Sequence, residues 1–257
     1  MKKEVLHLFE HLYSNDFAQL RREWSQWLHG NQLKKIFTPN PEQIVLAQEN
    51  KEYCQTLSQA DVLLPDGIGV VGAEALLLSR SRLLHRMPGT EVVEWWLREG
   101  SEGKIKTLLI GGQGDTAKKV ADRFDLTGEW CSAVAGYEDI SAPTAAEEKS
   151  VETLIKTWQP KVVFVAFGAP AQERWVLDHA ALLERCGVRV AMVCGGAFDF
   201  LSGNVERAPQ WVRALGMEWA FRLIQEPWRW KRQLKLITFI QLIVQEIFLR
   251  GSQFAKR

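Results

Sequence analysis

Hydrophobic and polar positions alternate along most of the chain in blocks that predict strands and helices in turn. The strand-like blocks are short, aliphatic and nearly free of polar residues, which is typical of strands covered on both faces. They occupy residues 34–37, 61–65, 105–112, 131–137, 161–168 and 188–196. Helix-patterned blocks occupy residues 41–58, 89–100, 115–124, 145–158 and 171–186. This alternation predicts an α/β fold, a Rossmann-like and mostly parallel sheet with helices on both faces.

The chain after about residue 206 has a different pattern. It is rich in tryptophan, arginine and large aliphatic residues, and between Leu234 and Leu249 the polar residues fall on one narrow stripe. Such a stripe predicts a helix with a wide apolar arc, which can pack in a core, form a subunit interface or lie in the plane of a membrane. The pattern alone favours a core or an interface. We therefore divide the chain into a Rossmann-like body, 1–206, and a helical C-terminal appendage, 207–257.

The charge distribution changes this picture of the appendage. The whole chain has a formal net charge of +1, which gives no case for a nucleic-acid partner. Residues 207–257 nevertheless carry ten Lys/Arg against three Asp/Glu, an excess of +7, which leaves residues 1–206 at −6. A basic segment that also contains four tryptophans favours contact with phosphate groups or with a membrane surface.

The rest of the composition indicates a cytoplasmic protein. No stretch approaches about 18 uninterrupted apolar residues, and Glu4, His7 and Glu10 interrupt any signal-peptide core. The four cysteines have no paired ligand spacing and the five histidines are scattered, so we expect reduced thiols and no metal site. The expected location is the cytoplasm, with peripheral contact to the inner face of the cytoplasmic membrane.

Small and polar residues gather where the predicted strands end. These turns are 38–40, 65–67, 111–115, 168–173 and 195–199. A single turn of this kind is usually only turn chemistry, but ligands of open parallel sheets bind at the carboxyl ends of the strands. Five such turns at one edge therefore predict a small-molecule site. Asp66 stands between a proline and a glycine, and the pattern leaves open whether it serves only the turn or also a ligand.

Two of these turns are rich in glycine. Gly111 and Gly112, like Gly195 and Gly196, allow backbone N–H groups to approach a phosphate. The first pair lacks the G-x-G-x-x-G spacing, and no acid stands at a clear strand end about 20 residues on, so nicotinamide or flavin binding has weak support. Asp199 is either a helix cap or a ligand contact.

Taken in chain order, these motifs resemble the WecG/TagA/CpsF family of bacterial glycosyltransferases. They are TPNPE at 38–42, LPDGIGVV at 64–71, RMPGTE at 86–91, IGG at 110–112, FGAPAQE at 167–173, GGAFDFLSG at 195–203, RAPQW at 207–211 and EWAFRLIQEPWRWKR at 218–232. The resemblance implies an inverting, metal-independent glycosyltransferase without a cofactor. Its donor would be a UDP-linked ManNAc, ManNAcA or other hexose, and its acceptor undecaprenyl-diphosphate-linked GlcNAc. The product would serve teichoic acid, enterobacterial common antigen or exopolysaccharide synthesis.

The resemblance also implies roles for single residues. It places the general base on Asp66, with Thr38 and Asn40 beside it to orient the sugar. A carboxylate suits this role because the attacking hydroxyl must lose its proton. The appendage would complete the active site, with a diphosphate clamp formed by Arg222, Arg229 and Arg232. The residues expected to bind donor or acceptor are Arg86, Gly111, Gly112, Gln172, Gly195, Gly196 and Asp199.

Two other classes of protein fit parts of the pattern. A nicotinamide-dependent oxidoreductase fits the alternation of strands and helices, and a non-catalytic membrane adaptor fits the appendage. A homo-oligomer is a further alternative, because a detachable appendage would expose apolar surface. The sequence does not name the donor sugar.

Overall fold

The computed structural model describes residues 1–78 and 84–254, with the side chains at 100–102, 229, 231–233 and 251–254 left out of the description. Six strands form one sheet in the order β2-β1-β6-β5-β3-β4, and each pairing is parallel. The strands are β1 Lys34–Phe37, β2 Val62–Leu63, β3 Thr107–Gly111, β4 Cys131–Val134, β5 Val162–Ala166 and β6 Val190–Val193. Each lies within a predicted strand block, so the predicted α/β fold with a parallel sheet is confirmed.

Helices connect these strands and follow the last of them. They are α1 Lys3–Glu10, α2 Phe17–His29, α3 Pro41–Glu49, α4 Lys51–Leu57, α5 Ile68–Leu78, α6 Gly89–Gly103, α7 Thr116–Phe124, α8 Ala145–Trp158, α9 Ala171–Asp178, α10 Ala180–Arg185, α11 Ala197–Leu201, α12 Gln210–Ala214, α13 Glu218–Gln225 and α14 Trp230–Phe254. A short 3-10 helix, Pro227–Arg229, precedes α14. The predicted helix at 41–58 divides at Asn50, because the Asn50 side chain caps α4 by accepting a hydrogen bond from Tyr53 N at 3.1 Å.

Both faces of the sheet are covered. Within β5, Val163 and Val165 belong to one buried cluster, and Val162 and Phe164 belong to the other. This alternation follows from the two-residue period of a strand. The first cluster takes side chains from α3, α4, α8 and α9, and the second from α2, α6, α7 and α11. The helices on both faces thereby leave the carboxyl ends of the strands as the open edge.

The long helix α14 packs on the body through one face. Phe239 and Ile243 are buried in the same cluster as α3 and α5, and Arg250 Nη1 donates to the carbonyl of Leu77 at 2.6 Å. The remaining apolar face, which includes Ile237 and Phe248, is exposed. In the part of the chain that the structure describes, no helix is long and apolar enough to cross a membrane. The division at residue 206 stays a prediction, although α14 shares its core with the body.

Candidate active site

A cleft of 1310 Å³ opens where the strands end, between the body and the appendage. It is lined by ten of the predicted site residues: Thr38, Asn40, Asp66, Arg86, Gly112, Gln172, Gly195, Gly196, Asp199 and Arg222. Gly111 does not line the cleft. The side chains of Arg229 and Arg232 lie outside the described residues. The fold thus brings residues from five separate strand ends and from the appendage to one cavity, as ligand sites of open parallel sheets require.

Asn40 follows β1 and begins α3. Its Oδ1 accepts from Gln43 N at 3.0 Å, while Gln43 Oε1 accepts from Asn40 N at 3.0 Å, which forms a capping box with Pro41 at the first helical position. Since the cap uses the side-chain oxygen, the amide nitrogen of Asn40 is the group that remains for a ligand. Thr38, two residues earlier in the same turn, is buried, and its Oγ1 lies 3.4 Å from the carbonyl of Val193 on β6.

Asp66 is held in a rigid turn after β2. Its backbone N donates to the carbonyl of Pro39 at 3.1 Å, and Gly67 has φ +93°, a left-handed conformation that favours glycine. Burial, reinforced by the negative charge of Glu218, raises the pKa of Asp66 to about 7, against a smaller opposing effect of Arg86. A carboxylate with a pKa near neutrality in a ligand cleft can accept a proton from a bound hydroxyl.

An ion network that the sequence did not predict surrounds Asp66. Arg207 pairs with Glu94 at 2.9 Å, with Glu91 at 3.2 Å and with Glu218 at 3.5 Å. Glu91 and Glu94 lie on α6 of the body, whereas Glu218 begins α13 of the appendage and lines the cleft. Arg207 therefore ties the appendage to the body beside Asp66. The sequence contained a signal that could have pointed to this network, since Glu91 and Arg207 lie in two of the motifs.

Arg222 reaches the cleft from α13. Its Nη2 donates to Asp199 Oδ2 at 3.0 Å, its Nε donates to Glu226 Oε2 at 2.6 Å, and its guanidinium lies 4.6 Å from the centre of the Phe200 ring. A Cβ atom at Gly196 would come within 2.9 Å of Arg222 Nη1, so a larger residue there would require the guanidinium to shift. The two carboxylates and the ring fix a guanidinium beside a glycine-rich turn, an arrangement suited to a phosphate group.

A buried carboxylate supports the wall of the cleft that the body forms, opposite Arg222 of the appendage. Glu173 is inaccessible to solvent, and its Oε1 accepts from Gln172 Nε2 at 2.9 Å and from Gln43 Nε2 at 3.2 Å. Gln172 Oε1 in turn accepts from Gly195 N at 3.1 Å. Burial raises the pKa of Glu173 to about 7, and the hydrogen bond from Gln172 opposes that rise. This chain of bonds sets the orientation of Gln172 and links it to the cap at Asn40.

The histidines are less scattered than the sequence suggested. His7 and Glu10 lie in the last turns of α1 and His11 follows it, and ligand atoms of all three lie within 4.8 Å of one another. All three are exposed and none lines the cleft. Imidazole and carboxylate groups at this separation can bind a divalent transition metal. The prediction of no metal site was made for the whole chain from the scattered histidines, and it stays a prediction.

Comparison with known sequences identifies the family. The sequence profile of the Glycosyl transferase WecG/TagA/CpsF family matches residues 7–253. The chain belongs to this family. The match confirms the resemblance drawn from the motifs, and it assigns the chain to the glycosyltransferases in place of the oxidoreductases or the non-catalytic adaptors.

Several curated WecG/TagA/CpsF relatives carry one name, N-acetylglucosaminyldiphosphoundecaprenol N-acetyl-beta-D-mannosaminyltransferase. The protein from Bacillus subtilis (strain 168) is 32% identical over 247 residues, covering 96% of this chain and 93% of the relative. That from Bacillus spizizenii is 32% identical over 221 residues, covering 85% and 82%. That from Staphylococcus aureus (strain MW2) is 30% identical over 201 residues, covering 77% and 73%.

Proposed function

We propose that this glycosyltransferase moves N-acetylmannosamine from UDP to undecaprenyl-diphosphate-linked GlcNAc in the synthesis of a cell-surface polysaccharide. The names of the relatives support the choice of sugar and acceptor, with ManNAcA or another hexose as the alternatives for the donor. The observation that carries the proposal is the placement of Asp66 and Arg222 on the lining of one cleft.

In this proposal Asp66 is the general base. It takes the proton from the acceptor hydroxyl as that oxygen attacks the anomeric carbon, and the UDP group leaves from the opposite face, so the configuration inverts. Thr38 and Asn40 lie beside Asp66 on the cleft lining and are proposed to orient the reacting sugar. Diphosphate is a good leaving group, so the reaction needs charge stabilisation rather than a second carboxylic acid.

Arg222 is proposed to stabilise the developing charge on the diphosphate. Asp199 and Glu226 hold its guanidinium in place before substrate arrives, which reduces the reorganisation needed in the transition state. Arg229 and Arg232 are proposed to join it, because the 3-10 helix and the first turn of α14 follow α13 directly. Arginine suits this role through its rigid pairs of N–H donors.

Apolar surface of the appendage supports peripheral contact with the membrane that holds the acceptor. Ile224 is 79% exposed, Phe248 74% and Trp228 70%. Trp228 also lines the cleft, so this surface is continuous with the proposed site of transfer. We propose that the appendage rests on the inner face of the cytoplasmic membrane, with a homo-oligomer as the competing occupant of the same surface.

A screen of UDP-sugars against a lipid-diphosphate-GlcNAc acceptor, read by the mass of the product, tests the proposed function. We expect a product heavier by one N-acetylhexosamine with UDP-ManNAc and little or none with UDP-GlcNAc or UDP-glucose. Transfer from another sugar nucleotide with none from UDP-ManNAc would change the donor. Absence of transfer from every donor would refute the assignment of substrates.

A further inference from the structure

The first helix of the chain, α1, presents two chemically different sides. Its buried side, which includes Leu8 and Phe9, packs into the core of the body. On its exposed side and at its end lie two histidines and a glutamate: His7, Glu10 and His11. Histidines four residues apart project from the same side of a helix, a spacing by which helices present two imidazoles to one zinc ion. The exposed side of α1 therefore carries a donor set for a transition metal.

The three donor groups lie close enough to share one ion. Ligand atoms of His7, Glu10 and His11 lie within 4.8 Å of one another. Bonds from zinc to nitrogen or oxygen are about 2.1 Å long, so two ligand atoms on a tetrahedral ion lie about 3.4 Å apart. The exposed side chains therefore need to move closer by at most about 1.4 Å. Among the residues that the structure describes, no other group of three or more His, Cys, Asp or Glu side chains meets this distance.

Hydrogen bonds already orient both imidazoles. His11 Nδ1 lies 2.9 Å from the carbonyl oxygen of His7, and a carbonyl only accepts, so Nδ1 carries the proton. The lone pair of the neutral His11 ring is therefore on Nε2, which remains for a metal. Histidine ligands in proteins commonly donate their other ring N–H to a carbonyl or a carboxylate in this way. His7 Nδ1 in turn lies 3.1 Å from Glu10 Oε2, so the carboxylate is already beside the imidazole.

The helix end and the donor types favour one class of ion. The three groups lie at the C-terminal end of α1, where the helix dipole favours positive charge. Mg²⁺ and Ca²⁺ prefer oxygen ligands, whereas imidazole nitrogen favours zinc and the neighbouring transition metals. Two imidazoles and one carboxylate also form a zinc ligand set in proteins, with water at the fourth position. The donor set is therefore that of a zinc ion.

The same helix end lies beside the edge of the sheet. Leu12, which follows His11, forms a parallel bridge with Leu63 of β2, and Tyr13 N donates to the carbonyl of Leu63 at 2.8 Å. The chain after α1 thus covers the outer edge of β2, the terminal strand of the sheet and the one that leads to Asp66. An ion bound at the end of α1 would oppose its fraying and thereby strengthen the cover of this edge.

We propose that His7, Glu10 and His11 form a surface binding site for Zn²⁺, with water as the fourth ligand, and that the bound ion fastens the end of α1 beside β2. The proposal departs from the expectation of no metal site that the scattered histidines gave. The three residues lie outside the cleft, so the ion has a structural role and the proposal does not rest on the proposed function.

Calorimetric titration of the metal-free full chain with ZnCl₂ tests the ligand set. The wild type should bind one ion with a Kd of about 10 µM, because three exposed ligands hold zinc more weakly than the four of a closed site. His7→Ala and His11→Ala each remove a ligand and should bind at least about tenfold more weakly. Glu10→Gln removes only the negative charge and should weaken binding less than either.

His29→Ala is the matched control for this titration. His29 is also exposed at the end of a helix, and its Nδ1 also donates to the carbonyl four residues earlier, that of Ser25, at 2.7 Å. It belongs to no close group of metal ligands among the described residues, so His29→Ala should bind zinc as the wild type does. Equal zinc affinity of the wild type, His7→Ala and His11→Ala would overturn the site.

Chemical modification locates the ion in the unmutated chain. Diethyl pyrocarbonate acylates free imidazole nitrogens, and a bound metal protects them. One tryptic peptide, 4–21, contains both His7 and His11, and another, 23–34, contains His29. Mass spectrometry should show that zinc protects the first peptide from modification and leaves the second unchanged. Equal modification of the first peptide with and without zinc would overturn the assignment of the ligands.

Thermal unfolding tests the structural role of the ion. Zinc at about ten times its Kd should raise the Tm of the wild type by about 3 °C and leave that of a His7→Ala/His11→Ala double variant unchanged. No rise for the wild type, or an equal rise for both chains, would overturn this role. The Tm of each chain without metal identifies any loss of fold caused by the substitutions themselves. Sugar transfer should be the same with and without zinc, and transfer that required zinc would overturn the purely structural assignment.

Discussion

The two walls of the cleft are held by different forces. The body wall is fixed by strand-end turns and by buried hydrogen bonds that run from Asn40 through Gln43 and Glu173 to Gln172. The appendage wall is held by partly exposed ion pairs of Arg207 and Arg222 and by one apolar face of α14. Buried hydrogen bonds are shielded from salt, whereas exposed ion pairs are screened by it. The body wall is therefore the preformed part of the site. The attachment of the appendage, in contrast, depends on the salt concentration.

The largest expected effect comes from Asp66, the proposed general base on the body wall. Asp66→Asn keeps the shape but cannot accept the proton, so kcat should fall about 10³-fold, within the range for general bases. Asp122→Asn, on the surface-facing side of α7, should leave kcat unchanged. Steady-state transfer from UDP-ManNAc measures both. Near-wild-type turnover of Asp66→Asn would remove Asp66 from the mechanism.

The pH dependence of the wild-type transfer rate tests the same proposed role of Asp66. The pKa of Asp66 is raised to about 7, so the carboxyl is mostly protonated and inactive below pH 7 and mostly ionised above it. The rate should therefore rise about tenfold per pH unit on the acid side and level off above about pH 7. Glu173 titrates in the same range, so the profile is compared with that of Glu173→Gln. A profile that is flat from pH 5 to pH 8 contradicts the assignment.

The next effect comes from the appendage wall. Arg222→Gln removes the positive charge next to the glycine turn at Gly196, and kcat should fall about 10²-fold. Arg222→Lys keeps a charge but loses the paired donors, so its loss should be smaller but still clear. Both variants should keep the melting temperature of the body within a few degrees. Equal, full activity of the two variants would show that Arg222 serves only to attach α13 to Asp199.

The sequence could predict the fold and the body wall because both rest on local patterns. Apolar runs specify β1 to β6, and the turns after them specify Thr38, Asn40 and Asp66. The missed groups depend on tertiary contacts between distant segments. Glu218 raises the pKa of Asp66 because the fold brings the start of α13 to the same cleft, and Glu173 looks like an ordinary helix residue until it is buried against α3. No spacing along the chain encodes those contacts.

Glu173 offers a smaller effect that separates positioning from catalysis. Glu173→Leu leaves the amide groups of Gln172 and Gln43 without their acceptor, so kcat/KM should fall about tenfold and stability by about 1–3 kcal/mol. Glu173→Gln retains an oxygen that accepts from both and should recover most of the activity. Sugar-transfer kinetics give kcat/KM of both variants, and urea unfolding gives their stability. If Gln rescues stability but leaves kcat/KM tenfold low, the charge of Glu173 acts in the reaction and not only in placement.

The smallest effect concerns the exposed face of the appendage. Ile224→Ser and Phe248→Ser together remove apolar surface that no described residue covers, so stability should change by less than about 0.5 kcal/mol while binding to anionic vesicles weakens about fivefold. Leu126→Ser is the matched control, because Leu126 is 92% exposed but lies on the body, and it should leave vesicle binding unchanged. Co-sedimentation with vesicles measures binding, and sedimentation velocity measures the oligomeric state. If the wild type is a dimer and the double variant is a monomer that still binds vesicles normally, this face belongs to an interface with a second copy of the chain. The apolar area would then stabilise that interface in place of a membrane contact.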